Sequence, residues 1–588
     1  MKGRAGTIAL GLGLAAYVGL AVTSLRKSSA TYDEGAHLPA GYTYLATGDH
    51  RLNPEHPPLV KLLAAAPLFL IGNVTFKADD EAWATGRQWE LGRRFLYRWN
   101  DADRLLFWGR LPIVLLGAGL CAAVFLWTRA RFGFPAALLA GLLAVLSPDL
   151  LAHGQLVTTD LAMALFYFLS VVGGEALWRR VTWRTLGFLA VALAAAVASK
   201  FSAPVLLPVL AALGLVAVWA RAPMTLALGK EERALERGAP RVRPVILTLA
   251  AALVFAWLGL WTAYGFARTV SSDPAVRALL LSTTLRDDGG TLVADAALSA
   301  ERWGLLPEAY VRGFLFTYRH AEGRPTFLLG QVSDHGFPHF FLVTFALKTP
   351  LPLILLLVLA LLIGRGRAPW STEAFIWIPV AGYVLLTQAR GLNIGHRHLL
   401  PVYPFLFVAA GRAAEGAWRF WARGKRTPGL VVIALAAWYV VGTLRVHPHY
   451  LAYFNEVAGG PARGYHCLVD SSLDWGQDLK GLAAWLEARG IEKVKLSYFG
   501  SADPAYFGID AEMLPSTMSP RPVRVTREVG PGDLLAVSAT NLQGVYLDPA
   551  DRRLMERIRR LSPIGQVGHS ILVFRSDFTW PPPETARP

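Results

Sequence analysis

The sequence predicts a polytopic α-helical membrane protein, and three observations predict it. The chain of 588 residues is 54% hydrophobic and 17% charged, where soluble domains carry about 25% charged residues. Several apolar runs approach the roughly 20 residues that cross a bilayer core of about 30 Å. The formal net charge of +16 is spread over short loops between these runs, where the positive-inside rule places it. That dispersal excludes a nucleic-acid partner, which would call for a basic tract or stripe. The two cysteines are not placed to bridge, because Cys121 lies in an apolar run and Cys467 in the polar tail. No Cys/His set has zinc spacing.

About eleven spans follow from the apolar runs: 7–25, 105–127, 134–152, 160–178, 184–198, 203–220, 244–266, 339–363, 373–388, 398–411 and 428–445. The first begins after Lys2 and Arg4 and resembles a signal peptide, with small residues at 28–30. Its apolar run of about 18 residues is long for a signal h-region, so we read a retained helix. Alternate loops are basic: Arg129 and Arg131; Arg179 and Arg180; Arg221, Lys230, Arg233, Arg237, Arg241 and Arg243; Arg365 and Arg367; Arg419, Arg423, Lys425 and Arg426. These loops and the N-terminus are expected in the cytoplasm.

The opposite face receives 26–104, 153–159, 199–202, 267–338, 389–397 and the tail from 446. It gathers nearly all the unusual polar residues. A membrane protein with its acids, histidines and a lysine at one face has the pattern of an enzyme or transporter with a site there. In the long first loop, 59–71 is apolar but too short to span and suits an interfacial helix. Segments 32–44 and 81–99 are candidates for two more. The loop 267–338 is expected to hold a helix at about 295–319. The tail, 446–588, reads as a small α/β domain, with a helix at 479–489 and strands at 493–499, 534–538 and 571–574.

Several residues could carry chemistry. Asp33 and Glu34 stand just past the first span. An adjacent acid pair is ordinarily a solvated turn. Beneath an apolar loop at the membrane surface, however, an acid is partly desolvated, its pKa rises, and it can act as a general base. Glu55 and His56 precede two prolines that fix an extended entry to the helix containing Lys61, and a helix N-terminus favours an anion such as phosphate. Thr158, Thr159 and Asp160 read as a helix start, with the carboxylate free to position a cation. Lys200 fills a very short outer loop, either as a helix-end anchor or as a point charge for phosphate. Lys348, about nine residues into a span, is costly there unless it snorkels to the surface. Arg397 could clamp a phosphate. The flanking His396 and His398 could ligate a metal, but no partner ligands are assignable.

Set in order, 32–37 (Tyr32, Asp33, Glu34, His37), 55–61, 158–160, 199–200, 348–350, 396–404 and 470–478 resemble one family. It is the dolichyl-phosphate-mannose–protein mannosyltransferase-like superfamily, glycosyltransferase family 39, with the lipid A aminoarabinose transferases and bacterial phospholipid carrier-dependent glycosyltransferases. The resemblance implies a GT-C fold over 1–445, plus an extracytoplasmic domain at 446–588. It implies a polyprenyl-phosphate-linked sugar as donor, inversion at the anomeric carbon, and a bacterial inner-membrane location. Asp33 would be the base and Glu34 its support. Lys200, Arg397 and His56, ordered by Asp160, would hold the carrier phosphate. His396 and His398 lie beside them, with Tyr32, His37, Glu55, Lys61 and Lys348 as further candidates. No cofactor is expected, and the acceptor is open. The sequence departs at His56, where aminoarabinose transferases carry Lys. The alternatives are a transporter or flippase of lipid-linked sugars and a non-catalytic assembly factor.

Overall fold

The computed structural model describes residues 2–229, 231–320, 324–364, 369–390, 393–517 and 525–582. Lys230, Arg365 and Arg367 lie outside them. A helix covers the bulk of each expected span, but fewer are long enough to cross. Among the described residues, five helices combine the length and apolarity to span a bilayer: Arg4–Leu25, Ala102–Phe132, Asp160–Arg179, Ala239–Ala263 and Thr427–Arg445. The span read at 339–363 is two helices, Phe340–Lys348 and Leu351–Ile363, bent by 101° at Thr349 and Pro350. Counting that pair as one span gives six. Length and apolarity thus support five or six of the eleven expected spans among the described residues. The apolar runs are real, but several fold as helices too short to cross on their own, among them Phe134–Val145 and Trp183–Val197.

The first loop forms the helices Glu34–Thr47, Leu59–Ile71, Glu81–Ala84 and Gln88–Tyr97. The expected 81–99 helix is broken at Gly86, whose φ of +66° a helix cannot hold. Two glycines let these helices cross closely. A Cβ on Gly41 would lie 2.0 Å from the Lys61 carbonyl oxygen, and one on Gly92 would lie 1.8 Å from that of Gly35. Any side chain there would push the helices apart, taking Asp33 and His56 with them.

Loop 267–338 holds three helices instead of one: Pro274–Ser282, Leu292–Arg302 and Glu308–His320. The continuous helix expected at 295–319 is interrupted at Gly304 (φ +65°) and by Pro307 shortly after. At the basic end the sequence reading missed a three-stranded sheet of Arg180–Val181, Met224–Leu226 and Arg233–Leu235.

The tail contains a five-stranded mixed sheet: β1 Lys493–Ser497, β2 Asp510–Met513, β3 Leu534–Ser538, β4 Gly565–Val567 and β5 Ile571–Arg575, in the order β2-β1-β3-β5-β4. Strand alternation explains how it is held. On β5, Ile571 and Val573 join a cluster with Leu482 and with Leu38, Ala64 and Phe95 of the first-loop region. Leu572 and Phe574 join the main cluster with Leu554, Met555 and Ile558. Both faces are thus buried, one of them against the first loop. Segment 446–479 does not join the sheet. It runs as a series of short helical turns, Tyr450–Ala452, Glu456–Ala458, Pro461–His466 and Asp470–Ser472.

Candidate functional site

A cavity of about 280 Å³ opens where the first loop, the 394–398 turn and the tail meet. Tyr32, Asp33, His37, Glu55, His56, Lys200, Arg397 and His398 line it, together with Trp89, Asp470, Trp475 and Phe499. A narrower apolar branch of about 70 Å³, lined by Phe201, Phe341, Tyr383 and Leu386, shares His56, Lys200, Thr317 and His398 with it.

Four charged side chains form a chain at the base. Arg397 Nη1 donates to Asp33 Oδ2 at 2.9 Å and lies 3.6 Å from Asp160 Oδ2. Asp160 Oδ1 in turn accepts from Lys200 Nζ. Asp160 is buried and Asp33 keeps 19% of its side-chain surface exposed. Burial pushes the Lys200 ammonium below the usual lysine range, and Asp160 offsets only part of that. Two acids and two bases balance here, so an arriving phosphate would meet cations already held in place.

Asp33 sits at the start of the Glu34–Thr47 helix, and His37 is one turn further on. His37 Nδ1 lies 2.7 Å from the Val157 carbonyl oxygen. A carbonyl only accepts, so Nδ1 carries the proton and Nε2 is the acceptor. The His56 ring stands edge-on to His37 with centroids 5.5 Å apart. Lys61 fixes this turn from below. Its Nζ donates to the carbonyls of Asn53 and His56, both at 2.7 Å, and to the Tyr44 hydroxyl at 3.2 Å. Glu55 is held by Asn53 and Gln88.

Other candidates point elsewhere. Glu34 is fully buried. It pairs with Arg110 through both oxygens, at 2.8 and 2.7 Å, and accepts from the backbone N–H groups of Thr31 and Val157. Burial pushes its carboxyl up, but Arg110 and those N–H groups more than offset this and hold it below the usual carboxylate range. Lys348 is buried rather than snorkelling, with Nζ on the carbonyls of Leu451 (2.8 Å) and Ser472 (2.6 Å). His396 Nε2 meets the Tyr403 hydroxyl at 2.7 Å, away from the cavity that His398 lines. Among the described residues no group of three or more His, Cys, Asp or Glu is arranged to hold a metal.

Sequence reasoning missed Arg110, Trp475, Asp470, Phe499 and Trp89. Arg110 carried a signal, since an arginine inside an apolar helix is expensive and implies a partner. Trp475 and Asp470 lay in a stretch already singled out, with no role derivable from it. Trp89 and Phe499 gave no signal beyond their type. The aromatic contacts Tyr32–Trp89 (4.3 Å) and Tyr32–Phe499 (6.1 Å) come from distant parts of the chain.

No curated protein matches the chain significantly. Solved structures with a similar course include ArnT from Cupriavidus metallidurans bound to undecaprenyl phosphate, at 14% identity and TM-score 0.41, covering 96% of this chain and 97% of that one. The oligosaccharyltransferase AglB from Archaeoglobus fulgidus, in complex with an inhibitory peptide and a dolichol-phosphate, is 12% identical at TM-score 0.42, covering 74% and 56%. An Archaeoglobus fulgidus oligosaccharyltransferase in the apo form reaches TM-score 0.46 at 12% identity, covering 98% and 75%. At these scores the likenesses fix neither site nor substrate. Residues 104–229 match the family model described as dolichyl-phosphate-mannose-protein mannosyltransferase, which is the family to which the motifs point.

Proposed function

We propose that the protein is an inverting glycosyltransferase. It moves a monosaccharide from a polyprenyl-phosphate carrier to an acceptor hydroxyl on the extracytoplasmic face of the membrane, with residues 1–445 as the transferase part and 446–588 as an extracytoplasmic part. One observation carries the reading. The chain Asp33–Arg397–Asp160–Lys200 lies where a polar chamber and an apolar branch share Lys200, His56 and His398. A phosphate at that junction would direct the first carbons of its apolar tail into the branch and its sugar into the chamber.

In the reaction the acceptor hydroxyl gives its proton to the Asp33 carboxylate, and its oxygen attacks the anomeric carbon opposite the phosphate. The bond from that carbon to the phosphate oxygen breaks, and its electron pair leaves with the phosphate. The negative charge growing there is stabilised by Lys200 and Arg397, preorganised donors in a low-dielectric site. Asp160 keeps both cations oriented before substrate arrives. Glu34 contributes indirectly, by fixing the turn that carries Asp33.

The test is release of polyprenyl phosphate from radiolabelled polyprenyl-phosphate hexose by purified protein in liposomes, across several sugars and candidate acceptors. Release that disappears in Asp33→Asn is expected. Donor binding without release, and with Asp33→Asn indistinguishable from wild type, would sink the proposal.

A further inference from the structure

The stretch 470–478 of the tail is absorbed by none of the chemistry above, yet it touches both halves of the site. The Trp475 ring lies under Arg397, with the guanidinium carbon 4.1 Å from the ring centroid. The Trp475 carbonyl accepts from the Tyr32 N–H at 2.8 Å, one residue before Asp33. Ser29 ties the first loop to the same stretch, its N–H to the Gln477 carbonyl and its hydroxyl to the Gly476 carbonyl, both at 2.9 Å. On the other side, Ser472 Oγ accepts from the His396 N–H at 3.1 Å, and Ser471 Oγ donates to the Ile394 carbonyl at 3.0 Å. Lys348 fastens the stretch from below through the Ser472 carbonyl.

The local sequence explains why this strap holds one shape. Trp475 is among the largest fully buried side chains. Gln477 folds back so that its Oε1 accepts from the Trp475 N–H at 2.9 Å, and its Nε2 donates to the Leu473 carbonyl at 2.9 Å. Gly476 has φ +89°, and a Cβ there would lie 2.8 Å from Gly500 Cα and 3.0 Å from the Phe499 carbonyl. Only glycine allows the strap to press this closely on the chain end of β1.

We infer that Trp475 is a positioning residue for the transfer, its ring forming the shelf that holds the Arg397 guanidinium between Asp33 and Asp160. The inference rests on the function proposed above. An arginine shared by two carboxylates has two stable placements, one with each. A flat aromatic face beneath it favours the intermediate one, because the cation is attracted to the ring face and slides in its plane at little cost. Freed from the shelf, Arg397 closes on one carboxylate, and the growing phosphate charge loses a cation.

The test compares Trp475→Leu, Trp475→Phe, Arg397→Leu and the double variant Trp475→Leu/Arg397→Leu in the release assay. The expected loss is about 10–30-fold in kcat for Trp475→Leu, with little change in KM, because the charge to be stabilised develops in the transition state. Trp475→Phe recovers the larger part. In the Arg397→Leu background, Trp475→Leu has little further effect, since its action runs through that arginine. Additive losses, or a loss confined to KM, would overturn the inference while leaving the transferase reading intact. A second readout needs neither donor nor acceptor: the modification rate of Arg397 by phenylglyoxal, read by mass spectrometry. It should rise severalfold in Trp475→Leu and not in Trp475→Phe, and an unchanged rate overturns the shelf whatever the release assay shows.

Discussion

Asp33 and Glu34 are neighbours in sequence, and each is paired with an arginine from a distant helix or turn. Glu34 faces Arg110, both buried to within 1% of full burial, and its two oxygens accept from five donor groups: Arg110 Nε and Nη2, the Thr31 N–H and hydroxyl, and the Val157 N–H. Asp33 faces Arg397 from one oxygen, keeps an exposed edge on the cavity, and shares its arginine with Asp160. The same chemical pair thus does two jobs. Where every lone pair is satisfied, the carboxylate is a structural tie between the first loop and the Ala102–Phe132 helix. Where, as at Asp33, the described residues engage one oxygen and the side chain lines a cavity, the other faces the space the proposed substrate would fill. Satisfaction of hydrogen bonds, rather than charge or proximity to a motif, separates the two.

That contrast can be broken first at the tie. Removing one partner of a buried ion pair strands the other and costs about 3–5 kcal/mol. Glu34→Gln and Arg110→Met should therefore each lower the melting temperature sharply or abolish folded protein. Asp33→Asn, beside the cavity, should melt close to wild type. A Glu34→Gln protein as stable as wild type and inactive would reverse the roles assigned here.

A smaller effect is expected on the cation side. Lys200→Gln leaves Asp160 paired with Arg397 and removes one charge facing the phosphate. We expect about a 10–100-fold loss of turnover with the fold retained by circular dichroism. Full turnover would remove Lys200 from the phosphate site.

The smallest effect separates the two acids by pH. The Glu34 carboxyl is held below its usual range in the folded protein, so its contribution to stability is present above the unfolded value of about 4.3. It is lost as pH falls through the lower folded value. The melting temperature of wild type should fall on acidification below about pH 4, and Asp33→Asn, which retains the tie, should follow the same curve. A curve flat to pH 2 would show that the tie adds no pH-dependent stability.

The remaining lesson concerns what one chain of residues announces. By itself the sequence determined that the protein is built of apolar helices and that its polar residues collect at one face, because type and position along apolar runs are local properties; that Asp33, His56, Lys200 and Arg397 share a site was implied by the ordered family motifs rather than by those local properties. It also determined the short apolar helix Leu59–Ile71 and the strand Leu534–Ser538, both bounded by their own hydrophobic patterns. Only the tertiary structure decided that the run at 339–363 bends by 101°. Only there does Glu34 turn inward to Arg110 while its neighbour turns to the cavity. And only there does the tail reach under the first loop to lay Trp475 beneath Arg397. These outcomes depend on partners tens to hundreds of residues away, and a side chain's role is set by which of its bonding positions those partners fill.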